Sequence, residues 1–178
     1  KTSRFDSQPF YERTSMKHRT QIYIGSMVLV ALMTGLDQWT KWAVSTHMRP
    51  GQSIVIIPKL FELTYLQNTG AGFSIFEGYG KPFFAVLTVI AMAVMLWAYI
   101  KAKRPGLQMS LALIFAGALG NFIDRMALGY VVDFFHFYIF GWSFPVFNIA
   151  DICITLGFVF LVIDMLREEH EQRKALEA

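Results

Sequence analysis

Four long apolar runs restrict what this chain can fold into. Ile22–Leu36, Phe83–Ile100, Leu107–Leu119 and Ile149–Leu166 each form a block almost free of charge. A helix needs about 20 apolar residues to cross a bilayer, so the shorter first and third runs must keep their polar ends close to the interface. Hydrophobic residues make up 54% of the 178 residues and charged residues 16%, against roughly a quarter charged in soluble domains. The apolar residues are clustered and not spread at amphipathic spacing. The chain therefore reads as an α-helical membrane protein, with four transmembrane helices in one small bundle and too little left over for a separate soluble domain.

The basic residues indicate which way the bundle faces. Lys17, His18 and Arg19 precede the first run, Lys101, Lys103 and Arg104 fill the tight second connection, and Arg167, Arg173 and Lys174 follow the fourth. Positive ends of this kind stay in the cytoplasm. Arg49, Lys59 and Lys81 blur the opposite side, but the dense short connection decides for both termini inside and both long loops outside. The net charge of +3 is thus accounted for by topology, and no nucleic-acid partner is expected. Residues 1–19 form a polar segment in which Met16 is a candidate native start. Residues 20–167 form a single membrane-embedded domain, and 168–178 a polar cytoplasmic tail. In the first external loop, SIVIIP and LFELTYLQN read as short strands of a small β-rich subdomain. Gly70 and Gly72 suggest a turn or a close backbone approach. Phe134–Phe144, crowded with aromatics, reads as an interfacial belt.

Three aspartates lie near the ends of these apolar segments: Asp124 in GALGNFIDR, Asp133 in YVVDFF and Asp151 in FPVFNIAD. A carboxylate at membrane depth costs roughly a few kcal/mol and by default marks a functional site. Asn121-x-x-Asp124 and Asn148-x-x-Asp151 repeat one pattern. On a helix, i and i+3 share a face, so each Asn is expected to bond the acid one turn on. Asp124 adjoins Arg125 and has a purely structural reading, pairing with a neighbouring cation. Asp133 has only Val131, Val132, Phe134 and Phe135 around it, and burial there should raise its pKa. Two carboxyls brought within hydrogen-bond reach would share a proton, one activating water and the other protonating the departing group. Asp133 and Asp151 are the preferred working pair, with Asp124 and Asp37 in support at the same external end.

Other chemistry is less well equipped. His136 stands three residues after Asp133, but His47 is isolated and no further ligand cluster accompanies it, so neither metal nor cofactor is expected. Ser74 and Ser143 lack a nucleophile-elbow context. Cys153, inside the fourth run, reads as a small packing residue. Gly117 and Gly120 are small residues that allow close helix packing.

Taken in order, DQWTK (Asp37–Lys41), QNTGAGFS (Gln67–Ser74), GALGNFIDR (Gly117–Arg125), VVDF (Val131–Phe134) and FPVFNIAD (Phe144–Asp151) resemble the lipoprotein signal peptidase (signal peptidase II) family over residues 20–167. The resemblance implies an aspartyl endopeptidase of the bacterial inner membrane, active near its periplasmic face. Such an enzyme removes the signal peptide from a diacylglyceryl-modified prolipoprotein. It implies Asp133 and Asp151 as the catalytic dyad and Asn68, Asn121, Arg125 and Asn148 as residues lining the substrate or inhibitor site. Asp37, Gly70 and Asp124 are supporting positions. The expected partners are the lipid-modified precursor, membrane lipid and a globomycin-type cyclic peptide inhibitor, with the enzyme read as a monomer. Two departures stand out. Asn68-Thr-Gly-Ala-Gly72 replaces Asn-x-Gly-Ala-Ala, and Ile152 replaces a small polar residue after the second aspartate. A proton- or ion-coupled transporter is the alternative, and a scaffold with structural acids a third reading. Acids gathered at one face and an apolar second run argue against a path to both sides.

Overall fold

The computed structural model describes residues 8–70 and 80–177. Four helices, α1 (Gln8–His47), α2 (Gly80–Lys101), α3 (Pro105–Ala127) and α4 (Ile149–Glu177), carry the four apolar runs. Between them lie β1 (Ser53–Ile57), β2 (Phe61–Asn68), β3 (Val131–Ile139) and β4 (Trp142–Ser143). The strands form one antiparallel sheet in the order β1-β2-β3-β4. Among the described residues, Arg19–His47, Pro105–Ala127 and Ile149–Lys174 are long and apolar enough to cross a membrane, and Ala85–Lys101 is a shorter apolar stretch.

The first helix runs on past the end of its apolar stretch at Leu36 and through Asp37. α1 continues to His47, because Lys41, one turn on, lies 2.8 Å from the Asp37 carboxylate and compensates it within the helix. Trp39 and Trp42 point outward from this same stretch. α3 starts on Pro105, whose missing N–H costs nothing in a first turn. It ends at Leu128, and Gly129, at φ +89°, reverses the chain into β3.

β3 is the element that sequence patterning did not separate from a loop. Val131, Val132, Asp133 and Phe134 are all buried, so the strand shows no polar alternation. β2 and β3 pair with a register shift between Leu63 and Leu66, which leaves Leu66 opposite Asp133 and Asn68 opposite Val131. Val132 and Phe134 pack with Met48 and Tyr65 in the core beneath the sheet. Of the aromatic segment, Phe134 is buried, Phe135–Tyr138 are half-buried, and Ile139–Ser143 are exposed. Phe137 stacks on Phe61 at 4.6 Å, and Phe147 packs edge-on against Phe144.

The bundle closes around glycine. A Cβ on Gly117 would run into the Ala150 carbonyl oxygen, and one on Gly120 into the Asp37 carboxylate. α3 therefore lies directly against the start of α4 on one side and against α1 on the other. Cys153 is buried in this seam. At the opposite end Arg104 donates to the Asp164 backbone oxygen at 2.9 Å and pairs with its carboxylate at 3.1 Å. Gly117→Ala is expected to lower stability by about 1–2 kcal/mol net, since overpacking against rigid backbone outweighs the helix-propensity gain. The readout is the thermal midpoint in detergent, and an unchanged midpoint would show that the two helices separate freely.

Candidate active site

Asp133 sits near the start of β3 and is almost fully buried. The β2–β3 register brings Asn68 beside it, and the Asn68 Nδ2 donates to Asp133 Oδ2 at 2.9 Å. The Gly70 N–H donates to Asn68 Oδ1 at 3.0 Å, which fixes the orientation of that amide. From the other side, Asn148 Nδ2 donates to Asp133 Oδ1 at 2.6 Å. Both carboxyl oxygens thus face amide donors.

Asn148 also begins α4. Its Oδ1 accepts the Asp151 N–H at 3.0 Å, while its own N–H donates to Asp151 Oδ2 at 3.2 Å. This reciprocal pair is a capping box, an arrangement that satisfies two backbone donors at a helix start. The next free donor, the Ala150 N–H, reaches across to Asp37 Oδ1 at 2.9 Å. Two carboxylates therefore occupy the positive end of α4.

Beneath the pair lies a cluster drawn from α1 and α3. The Lys41 ammonium contacts Asp37 at 2.8 Å, Asp124 at 3.1 Å and Asn121 Oδ1 at 2.9 Å. Gln38 Nε2 donates to Asp124 Oδ1 at 2.9 Å, and the Val132 N–H folds back onto Asp124 Oδ2 at 3.0 Å. Asn121 Nδ2 then donates to Asp151 Oδ1 at 2.8 Å, while Asn148 Nδ2 donates to Asn121 Oδ1 at 3.1 Å. Arg125 donates to the Gly70 carbonyl at 2.9 Å and lies within electrostatic reach of Asp151, Asp133 and Asp124.

Burial, and then the nearby charge of Asp151, push Asp133 up to about 7. The amide donors of Asn68 and Asn148 and the charge of Lys41 pull the other way without cancelling this. Burial dominates because water is replaced by apolar strand and helix surface. A carboxyl poised near neutrality can both give and take a proton at working pH.

Asn68, Gly70, Asn121, Arg125, Asp133, Asn148 and Asp151 come together at one end of the bundle, with Asp37 and Asp124 at their base. The expected local pairing of each Asn with the acid three residues on holds for Asn148, which bonds Asp151 in the capping box, and fails for Asn121. Asn121 bonds Asp151 on another helix, and Asn148 spends its side-chain amide on Asp133 and Asn121. Asp124 pairs with Lys41, a partner 83 positions away, and not with a cation beside it in sequence. Lys41 and Gln38 were missed as site residues, although the Asp37-x-x-x-Lys41 spacing signals an ion pair on one helix face. His136 bonds Thr64 and Ser143 in the sheet, at 3.2 and 2.8 Å. Among the described residues no group of three or more His, Cys, Asp or Glu is placed to hold a metal. Gly72 and Ser74 lie outside the described residues, and Ile152 follows Asp151 in the first turn of α4.

A family model described as signal peptidase (SPase) II matches residues 29–167. Lipoprotein signal peptidases of Staphylococcus aureus strains JH9 and Newman are each 38% identical over 155 residues, covering 85% of this chain and 94% of theirs. Two solved structures of bacterial membrane enzymes, at 2.3 and 1.9 Å resolution, are also similar. The first aligns with a TM-score of 0.76 at 37% identity over 82% of this chain and 89% of its own. The second gives 0.73 at 38% over 80% and 92%.

An unfolded aspartate titrates near 3.8 and folded Asp133 near 7. Between these values the folded protein holds a proton that the unfolded chain has lost, so stability falls as pH rises through this window and then levels off. A series of thermal midpoints from pH 4 to pH 8 is expected to show this decline, and Asp133→Asn to lack it. Parallel profiles for the two proteins would mean that Asp133 does not titrate there.

Proposed function

Because this chain belongs to the signal peptidase II family, we propose that it is an intramembrane aspartic endopeptidase that removes signal peptides from diacylglyceryl-modified prolipoproteins. The removal of prolipoprotein signal peptides comes with the family, and the aspartic mechanism is our reading of the site. What supports it most is Asn148, which binds Asp133 with its side chain and Asp151 with its backbone, and so holds two carboxyls from different elements at one point.

The pair carries one proton between its two carboxyls. One withdraws a proton from water as the water oxygen bonds to the scissile carbonyl carbon, and the other gives its proton to the carbonyl oxygen. As the tetrahedral intermediate collapses and the C–N bond breaks, the departing amine takes a proton from one carboxyl while a hydroxyl of the diol returns its proton to the other, which restores the singly protonated pair. Asn68, Asn121, Asn148 and Arg125 line the site, and the Arg125 guanidinium suits a substrate carbonyl or headgroup oxygen. Asp37, Gly70 and Asp124 keep these groups in place.

In this reading α2 joins the three longer apolar helices as a fourth span, and both termini face the cytoplasm. The site then opens near the periplasmic face of the bacterial inner membrane. There the substrate's acyl chains remain in lipid while its peptide bond reaches the dyad. A globomycin-type cyclic peptide would occupy the same cleft, and the enzyme works as a monomer without a cofactor.

Asp133→Asn and Asp151→Asn are each expected to cut the cleavage rate of a diacylglyceryl-modified precursor by about 100- to 10,000-fold, the span of lost acid–base catalysis. A gel-shift assay on folded, membrane-inserted variants measures this, with the unmodified precursor as control. Wild-type turnover in either variant would falsify the dyad. Loss of activity on chelation with recovery on adding zinc would replace it with a metal mechanism.

A further inference from the structure

We propose that Lys41 is a positioning residue for the carboxylate pair, fixing which end of the Asn121 amide faces Asp151. The inference rests on the aspartic reading above and deepens it.

An ammonium has three N–H donors and no acceptor. Lys41 commits one each to Asp37, Asp124 and Asn121 Oδ1, at 2.8, 3.1 and 2.9 Å. Its donors are spent one turn below the dyad. The second lone pair of Asn121 Oδ1 takes the Asn148 Nδ2 at 3.1 Å. The Asn121 NH2 group is thereby turned toward Asp151 Oδ1, at 2.8 Å. Rotating the amide by half a turn would set NH2 against the ammonium and against the Asn148 NH2. It would also set a carbonyl oxygen against the Asp151 carboxylate. Every bond at that amide would become a repulsion, so a donor-only side chain at position 41 leaves Asn121 one orientation.

The cation also strengthens the donor it orients. Polarisation along Lys41, Asn121 and Asp151 makes the last hydrogen bond stronger than an isolated amide would give. The charge of Lys41 reaches Asp133 as well, opposing the effect of burial. The charged groups around the pair are Lys41 and Asp37 on α1, Asp124 and Arg125 on α3, Asp133 on β3 and Asp151 on α4. Lys41 is nearly inaccessible, so its influence passes through Asn121 and through space, without contact with substrate.

Lys41→Met alone leaves two buried acids unpaired, so the test uses Lys41→Met/Asp124→Asn, whose Asp37, Lys41 and Asp124 cluster has the wild-type net charge, and reads it beside both the wild type and Asp124→Asn. On a diacylglyceryl-modified precursor, removing Lys41 is expected to lower kcat about 10- to 100-fold, the usual loss when a ligand-orienting partner goes, with KM unchanged. The neutral limb of the pH–rate profile should move to higher pH. An unchanged kcat and limb would overturn the proposal, as would a kcat loss that only tracks the folded fraction in a thermal melt. If the double variant does not fold, Lys41→Arg decides. Retained charge with altered geometry predicts the limb in place and a lower kcat, and wild-type kcat overturns the proposal. Asp151→Asn run alongside separates the two readings. Activity there sinks the dyad itself, whereas an inactive Asp151→Asn beside a fully active Lys41 variant sinks only the role of Lys41.

Discussion

Polar groups enclosed by apolar helices have to find their partners inside the protein, because neither lipid nor packed side chains can solvate them. At the sheet end of this bundle that constraint is met by one connected set of bonds. Lys41 neutralises Asp37 and Asp124, Asp37 caps a backbone donor of α4, Asp124 holds the start of β3, and the asparagines join these to Asp133 and Asp151. The helices approach closely enough for this because Gly117 and Gly120 leave no side chain between them. Small residues and buried charges are thus two parts of one solution. The first permits contact and the second defines the register at which contact is allowed.

The sheet completes the set from outside the bundle. Gly129 turns the chain so that β3 begins directly above the last turn of α3, and the pairing with β2 delivers Asn68 to Asp133. Phe147 bonds back to the backbone at Phe134 and Phe135 just before α4 starts. Asn148 therefore arrives beside Asp133 with its position already fixed by backbone. The aromatic packing of Phe61, Phe137 and Phe147 keeps that corner rigid.

Much of this architecture was legible in the sequence. The apolar runs located the helices, and SIVIIP and LFELTYLQN located the first hairpin. The two aspartates flanked by apolar residues stood out because charge in such surroundings is costly. What stayed hidden has physical reasons. β3 is buried on both faces over its first four residues, which erases the alternation that identifies a strand. The i,i+4 spacing of Asp37 and Lys41 signals an ion pair, but spacing alone does not say that the pair faces inward or that Asp124, on another helix, joins it. Spacing within one helix paired Asn148 with Asp151 correctly, but helix crossing gives the Asn121 amide to Asp151 instead of Asp124 and adds Asp133 as a second partner of Asn148.

The capping box at Asn148 ties local and chemical order together. The same side chain that closes the first turn of α4 also holds the β3 carboxyl, so fraying of that single turn would separate the two acids while the bundle stayed intact. Helix ends open far more readily than whole domains unfold. On the proposed aspartic mechanism, the upper temperature of activity would be set by the opening of that one turn and not by the melting of the fold. Whatever tightens that turn, including an occupied cleft, would raise the ceiling on catalysis without touching the apolar core.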